Sequence, residues 1–228
     1  MKKAVIAATI VALGIVIGGA LVALGFREMA RQNRAVTVKG LSTKDVKADY
    51  VVWPLSFAIN GDNLPILYRD LASVQKTIID FLKEKGFAAD DIHLGNITVN
   101  DNWSGYYNQR PDNRYSLSSS VIISTANVEL VIANQGCQSE LLNKGIILNS
   151  QEWSIDYQYN GLVELKPSMI EEATKNARTV AQKFADDAHC RLGSIRRANQ
   201  GQFSIESDQY QPWIKHVRVV TTVDYYLR

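Results

Sequence analysis

Cysteine and histidine are scarce in this 228-residue chain, which has two of the first and three of the second. Two thiols cannot build the multi-bridge framework that staples small secreted domains. Cys137 and Cys190 remain one candidate disulfide pair, which requires Cα atoms within about 7 Å. His93 and His216 stand apart, and only His189 has a cysteine beside it. Zinc takes three or four ligands at recognisable spacing. The densest group here is Asp186, His189 and Cys190, and neighbouring residues on a helix diverge by about 100°. No metal and no cofactor are therefore expected. An excess of charge is missing too: 25 Lys+Arg face 23 Asp+Glu, a net of +2. This argues against nucleic acid, which asks for a clustered basic face. No GxSxG, P-loop, GxGxxG or HExxH occurs. "NDNWSG" resembles the start of a calcium loop, but a loop begun at Asn100 places Pro111 where a bidentate Glu belongs. No catalytic residue is expected, and the chain is read as not an enzyme.

What is present begins with a run free of charge, Ala4 to Phe26. A helix of that length just spans a hydrocarbon core of about 30 Å. A cleaved signal peptide has an apolar region of only about 7–15 residues. Length therefore favours an uncleaved signal-anchor: residues 1–3 as a cytoplasmic tail, 4–26 as a transmembrane helix, 27–35 as a charged tether and 36–228 as one extracytoplasmic domain. A long domain after such a span is translocated largely regardless of its charge. The expected location is the inner membrane, single-pass, with the bulk of the chain in the periplasm or extracytoplasmic space. Gly14 and Gly18 form a GxxxG, a spacing that lets helix backbones approach closely in lipid. The competing reading is that Gly and Ala are simply common in such helices.

Beyond the tether, strand and helix periods alternate. "AVTVKG" reads as a strand closed by Gly40. "KADYVVWPLSFAIN" puts Val51, Trp53, Leu55, Phe57 and Ile59 on one face, and Pro54 places this strand at an edge or a bulge. "NLPILYRDLASVQKTIIDFLKEKG" is a helix whose apolar stripe is Leu64, Leu67, Leu71, Val74, Ile78 and Phe81. Asn63 is its cap and Gly86 its end. "DDIHLGNITVN" is a short strand, and "DNWSGYYNQRPDNRY" a long hairpin tip carrying Trp103, Tyr106, Tyr107 and Tyr115. "SLSSSVIISTANVELVIA" reads as one strand, "CQSELLNKG" as a short helix, and "EWSIDYQYNGL" as a strand with Trp153, Ile155, Tyr157 and Tyr159 on one face. Two strands close the chain, the last with Val217, Val219, Thr221, Val223, Tyr225 and Leu227 on one side. The fold class expected is α+β: a mostly antiparallel sheet covered by two long helices and one short one, after the single N-terminal transmembrane helix.

The second long helix, "MIEEATKNARTVAQKFADDAHCRLGSI", holds the acidic, His and Cys group. Ser168 and Glu171 are read as its capping box, and Gly193 as its stop. The stripe Ile170, Ala173, Ala177, Ala181, Phe184 and Ala188 is small enough to lie close on a sheet. The charged residues fall mostly off that stripe and read as a solvated face.

Four segments carry a family resemblance: "VTVKGLSTKDVKADYVVWPLSF", "FLKEKGFAADDI", "EEATKNARTVAQKFADDAHCRLGSI" and "VRVVTTVDYYL". Together they resemble the SIMPL domain family, which includes bacterial periplasmic immunogenic and oxidative-stress-defence proteins. The resemblance implies a cell-envelope protein that self-assembles and has no established catalytic residue; this chain looks like a membrane-anchored member.

Two functions follow as expectations. The first is a membrane-anchored homo-oligomer of the envelope, with a stress-protective role as a candidate and Trp103, Tyr106, Tyr107 and Tyr115 as oligomer contacts. Aromatics are enriched where proteins meet, though a loose hairpin tip would carry them as well. The second is an extracytoplasmic binding module for a protein or a small ligand. Arg191, Arg196, Arg197, Lys215, His216 and Arg218 would then make a basic surface. Charge that protects an edge strand is the plainer explanation of that group.

Overall fold

The computed structural model describes residues 12–25, 34–104, 111–149 and 154–228. Helix α1 covers residues 12–25, and every described side chain on it is exposed. Residues 4–11 and Phe26 of the expected span lie outside the described residues. Among those described, no helix is long and apolar enough to cross a membrane.

From residue 34 on, the chain makes β1 (Ala35–Lys47), β2 (Tyr50–Gly61), α2 (Leu64–Glu84), β3 (Ile92–Leu94), β4 (Thr98–Asp101) and β5 (Tyr115–Thr125). Then come α3 (Val128–Asn134), α4 (Gln138–Asn143), β6 (Asp156–Gln158), α5 (Leu162–Asp187), β7 (Leu192–Gln200), β8 (Ser204–Ser207) and β9 (Ile214–Leu227). The class is α+β, but the strands form two sheets where one was expected. One has the order β1-β9-β7 with β8 on β9; the other has β3-β5-β2-β6 with β4 on β5. The residues group into two compact units. Unit 1 takes the described residues up to Lys44, with Glu164–Ile205 and His216–Arg228; unit 2 takes Asp45–Val163 and Glu206–Lys215.

Unit 2 is organised by β2. Its odd residues Val51, Trp53, Leu55 and Phe57 are buried, as period-two alternation requires. They face the core beside Val121 and Ile123 of the antiparallel partner β5. The edge expected from Pro54 is corrected, since β2 lies between β5 and β6; Pro54 falls in the gap between the β6 pairing at Tyr50–Val52 and the bridge of Phe57 with Leu148. Helix α2 covers this core with Leu67, Leu71, Ile78 and Phe81. The Asn63 side chain caps it by accepting from the Ile66 N–H, and Gly86 ends it at φ +95°. The stripe also carries Gln75, whose amide donates to Ser119 Oγ at 3.1 Å.

The long strand expected through residue 133 is corrected here. It stops at Thr125, and Asn127 accepts from Leu130 N to cap α3. That adds a second short helix to the one expected. The strand expected from residue 152 is confined to Asp156–Gln158, and Trp153 lies outside the described residues.

Unit 1 is built on α5 lying against β1. Met169, Ala173, Ala177, Ala181 and Ala185 are completely buried at a spacing of four. This corrects the expected stripe at two places: Phe184 is 54 % exposed and Ala188 is exposed. Gly40 does not close β1, which runs on to Lys47. A Cβ on it would sit 1.8 Å from the Ala173 carbonyl oxygen. Ser42 Oγ donates to Glu172 at 2.9 Å, and Asn176 Nδ2 to the Leu41 carbonyl at 2.8 Å.

The capping box is also corrected. Helix α5 starts at Leu162, so Ser168 and Pro167 lie inside it, and Ser168 Oγ donates to the Leu165 carbonyl. The entry turn is fixed from far along the chain: both Asn160 N and Gly161 N donate to the Asp49 carboxylate at 2.9 Å. Replacing Asp49 by alanine is expected to cost about 1–2 kcal/mol, read as a lower urea midpoint. The helix ends at Asp187, and the turn that stops it is made by His189, held at φ 53°, not by Gly193. Cys190 N closes the turn on the Ala185 carbonyl at 2.8 Å.

Candidate functional site

The structure places three groups that the sequence singles out. The first is the end of α5. His189 is used by the helix-terminating turn, and the Asp186 carboxylate accepts from Gln182 Nε2 at 2.8 Å. Among the described residues, no three His, Cys, Asp or Glu side chains gather closely enough to hold a metal ion. Cys190 belongs to unit 1 and Cys137 to unit 2, and both are free thiols. Burial pushes the Cys137 thiol above its ordinary pKa, which keeps it protonated and unreactive.

The second is the hairpin tip between β4 and β5. Tyr106 and Tyr107 lie outside the described residues. Trp103 and Tyr115 are half-buried around Arg114, whose guanidinium lies 5.4 Å from one ring and 4.8 Å from the other. Asp101 accepts from Arg114 at 3.1 Å, and that hydrogen bond holds its carboxyl below the ordinary carboxylate range. The Trp103 indole donates to the Pro111 carbonyl at 3.1 Å. The base of the tip is therefore folded on itself.

The third is the basic surface, and it loses a member: Lys215 is only 6 % exposed. It leads instead to a cleft in unit 2 of about 600 Å³. A volume of that order suits a small molecule. Three stretches of chain meet there. Gln135 follows α3; Ile155 precedes Asp156 and Tyr157 of β6; Ser207 ends β8, Lys215 lies in β9, and Gln209, Tyr210, Pro212 and Trp213 come from the turn between them.

The local sequence explains the turn. Asp208 Oδ1 accepts from Tyr210 N and Gln211 N, both at 2.8 Å, and Asp208 N returns to the Ile214 carbonyl at 2.9 Å. This presents Trp213 edge-on to Tyr157, with ring centroids 6.0 Å apart. Ala48 N anchors the Trp213 carbonyl at 2.7 Å. Tyr157 OH donates weakly to Gln135 Oε1 at 3.4 Å. Lys215 Nζ donates to Ser207 Oγ at 2.6 Å. Burial pushes the Lys215 ammonium below its ordinary pKa, and the negative charge of Asp156 opposes that shift. Burial likewise raises the Tyr157 phenol.

Sequence reading placed Ile155 and Tyr157 on a common face but missed the cleft. The signal for Lys215 was available. The alternation in β9 was read from Val217 onward, and one step back along the same period lies Lys215.

The family model described as "SIMPL: Protein of unknown function (DUF541)" matches residues 36–219. The chain belongs to the SIMPL family. That match covers every residue of the cleft and all of the elements from β2 to β8. No curated protein matches the chain. The SIMPL description assigns no reaction, so the chemistry of the cleft has to be argued from its own side chains.

Proposed function

We propose that this SIMPL chain is a non-enzymatic extracytoplasmic binding module, tethered to the inner membrane by its N-terminal apolar segment. The observation that carries the reading is the unit 2 cleft, where a buried cation, aromatic rings and an amide converge in a volume fit for a small molecule. The tether rests on the charge-free run 4–26, of which 12–25 is helical. The non-enzymatic reading rests on the geometry around the 2.6 Å Lys215–Ser207 contact. A Ser–Lys nucleophile pair also needs backbone donors for an oxyanion. The neighbouring N–H groups of Tyr210 and Gln211 are already committed to Asp208. The test is ligand-observed NMR on the full chain in lipid nanodiscs against a mixed panel of sugars, amines, amino acids and organic acids. A binder lost on Trp213→Ala is the expected result; a panel without any binder overturns the reading.

Self-assembly is a second reading, favoured by one edge of the five-stranded sheet. Strands β3 and β4 pair with β5 on one side only, and there Leu94, Ile97 and Val99 are exposed. Unprotected apolar edges invite pairing with a further strand. Light scattering corrected for bound detergent should give a multiple of the 25.4 kDa chain, and Val99→Lys should reduce it. A monomeric wild type removes this reading.

A further inference from the structure

Lys215 is an electrostatic anomaly. It is among the few buried polar side chains of the described residues, and its ammonium has a neutral hydroxyl as hydrogen-bond partner. Among the described residues no carboxylate lies within 4.0 Å of its nitrogen. Asp156 acts on it only from beyond 4.0 Å; a buried cation with no carboxylate in direct contact is costly, and this one borders an open cleft. The walls beside it are flat and apolar: Trp213 and Tyr157 meet edge to face, and Tyr210 stands 85 % exposed at the same cleft.

We propose that the cleft binds a carboxylate carried on a small aromatic body, its oxygens paired with Lys215 Nζ and its ring laid against Trp213 and Tyr157. This rests on the binding-module reading and narrows it to one ligand class. The carboxylate supplies a directly hydrogen-bonded counter-charge, which Asp156 provides only at a distance, and takes up donor capacity of the ammonium left over from Ser207. The ring buries apolar surface against Trp213 and gives Tyr210 something to close on. Asp156 also lines the cleft, its carboxylate held by Gln158 Nε2 at 2.6 Å. Its charge selects for one negative group on the ligand and against two.

The experiment is calorimetric titration of the full chain in lipid nanodiscs with phenylacetate, with its neutral analogue 2-phenylethanol, and with N-acetyl-Gly-Phe. Phenylacetate should bind at least about tenfold more tightly than 2-phenylethanol, as a charge-assisted contact implies. Lys215→Met should erase that preference. If this variant does not fold, the comparison of the two probes on the wild type still decides. Tighter binding of the peptide than of phenylacetate supports the pairing and places the natural carboxylate at a chain terminus; the reverse order supports a free acid. Equal binding of phenylacetate and 2-phenylethanol overturns the carboxylate assignment and leaves the binding module standing. So does a result in which neither binds while the mixed panel yields another ligand that Trp213→Ala abolishes. If no probe and no panel member binds, both readings fall. Labelling of Ser207 by a fluorophosphonate, lost on Lys215→Met, overturns the proposal in favour of a nucleophile.

Discussion

Gly40→Ala is expected to destabilise the protein by at least about 3 kcal/mol, the upper end for overpacking. The added Cβ would lie 1.8 Å from Ala173 O and 2.6 Å from Ala177 N. Both are backbone atoms of α5, so no side-chain rotation relieves the clash. The helix must lift from β1, and lifting it exposes the stripe from Met169 to Ala185 while breaking the Ser42–Glu172 and Asn176–Leu41 hydrogen bonds. Thermal melting followed by circular dichroism should show a fall of roughly 6–12 °C for a chain of this size. Gly136→Ala is the control, because nothing lies within 4 Å of its Cβ position. It should change stability by less than about 0.5 kcal/mol. Equal effects from the two would mean that α5 does not pack on β1 as described.

Trp53 gives the second large effect. It is completely buried in the unit 2 core and stacks edge-on to Phe87 at 6.3 Å. Truncation to alanine should cost about 3–5 kcal/mol. Its indole N–H is buried without a hydrogen-bond partner among the described residues. An orphaned donor of that kind costs about 1–3 kcal/mol. Trp53→Phe removes the orphan while keeping a ring against Phe87, so it should cost far less than alanine. Urea unfolding of the two variants checks this. If phenylalanine costs as much as alanine, the indole N–H is satisfied in solution and the loss is one of volume alone.

Where structure follows from local rules, the sequence was legible. Period-two alternation placed β2 and the later part of β9 on their correct faces. The Asn63 cap, the apolar stripe and Gly86 delimited α2 within a residue or two. Misreadings arose where a distant residue decides. Nothing near Leu162 announces the start of α5, because the anchoring carboxylate is Asp49, over a hundred positions earlier. The capping box expected at Ser168 and Glu171 falls inside the helix, together with Pro167. The small inward alanines Ala173, Ala177 and Ala181 were legible, but hydrophobicity favoured Phe184 where closeness to β1 turns Ala185 inward instead. Asn127 was overlooked as a cap because the apolar "VELVIA" after it continues the look of a strand. The cleft was illegible as a whole: its walls come from three separated stretches, and only Lys215 left a trace in the pattern of its own strand.

The chain crosses between the two units four times, and β9 is the middle strand of its sheet, with β1 on one side and β7 on the other. During synthesis β1 leaves the ribosome early but cannot find its neighbour until residues beyond 214 emerge. At ordinary elongation rates that is a wait on the order of 10–30 s. For that interval β1 is an unpaired strand with nothing to pair with in its own chain. Escorting β1 is therefore a demand placed on the cell's chaperones by the wiring of the sheet, and a ribosome that stops before residue 214 releases a product whose first strand never finds its neighbour.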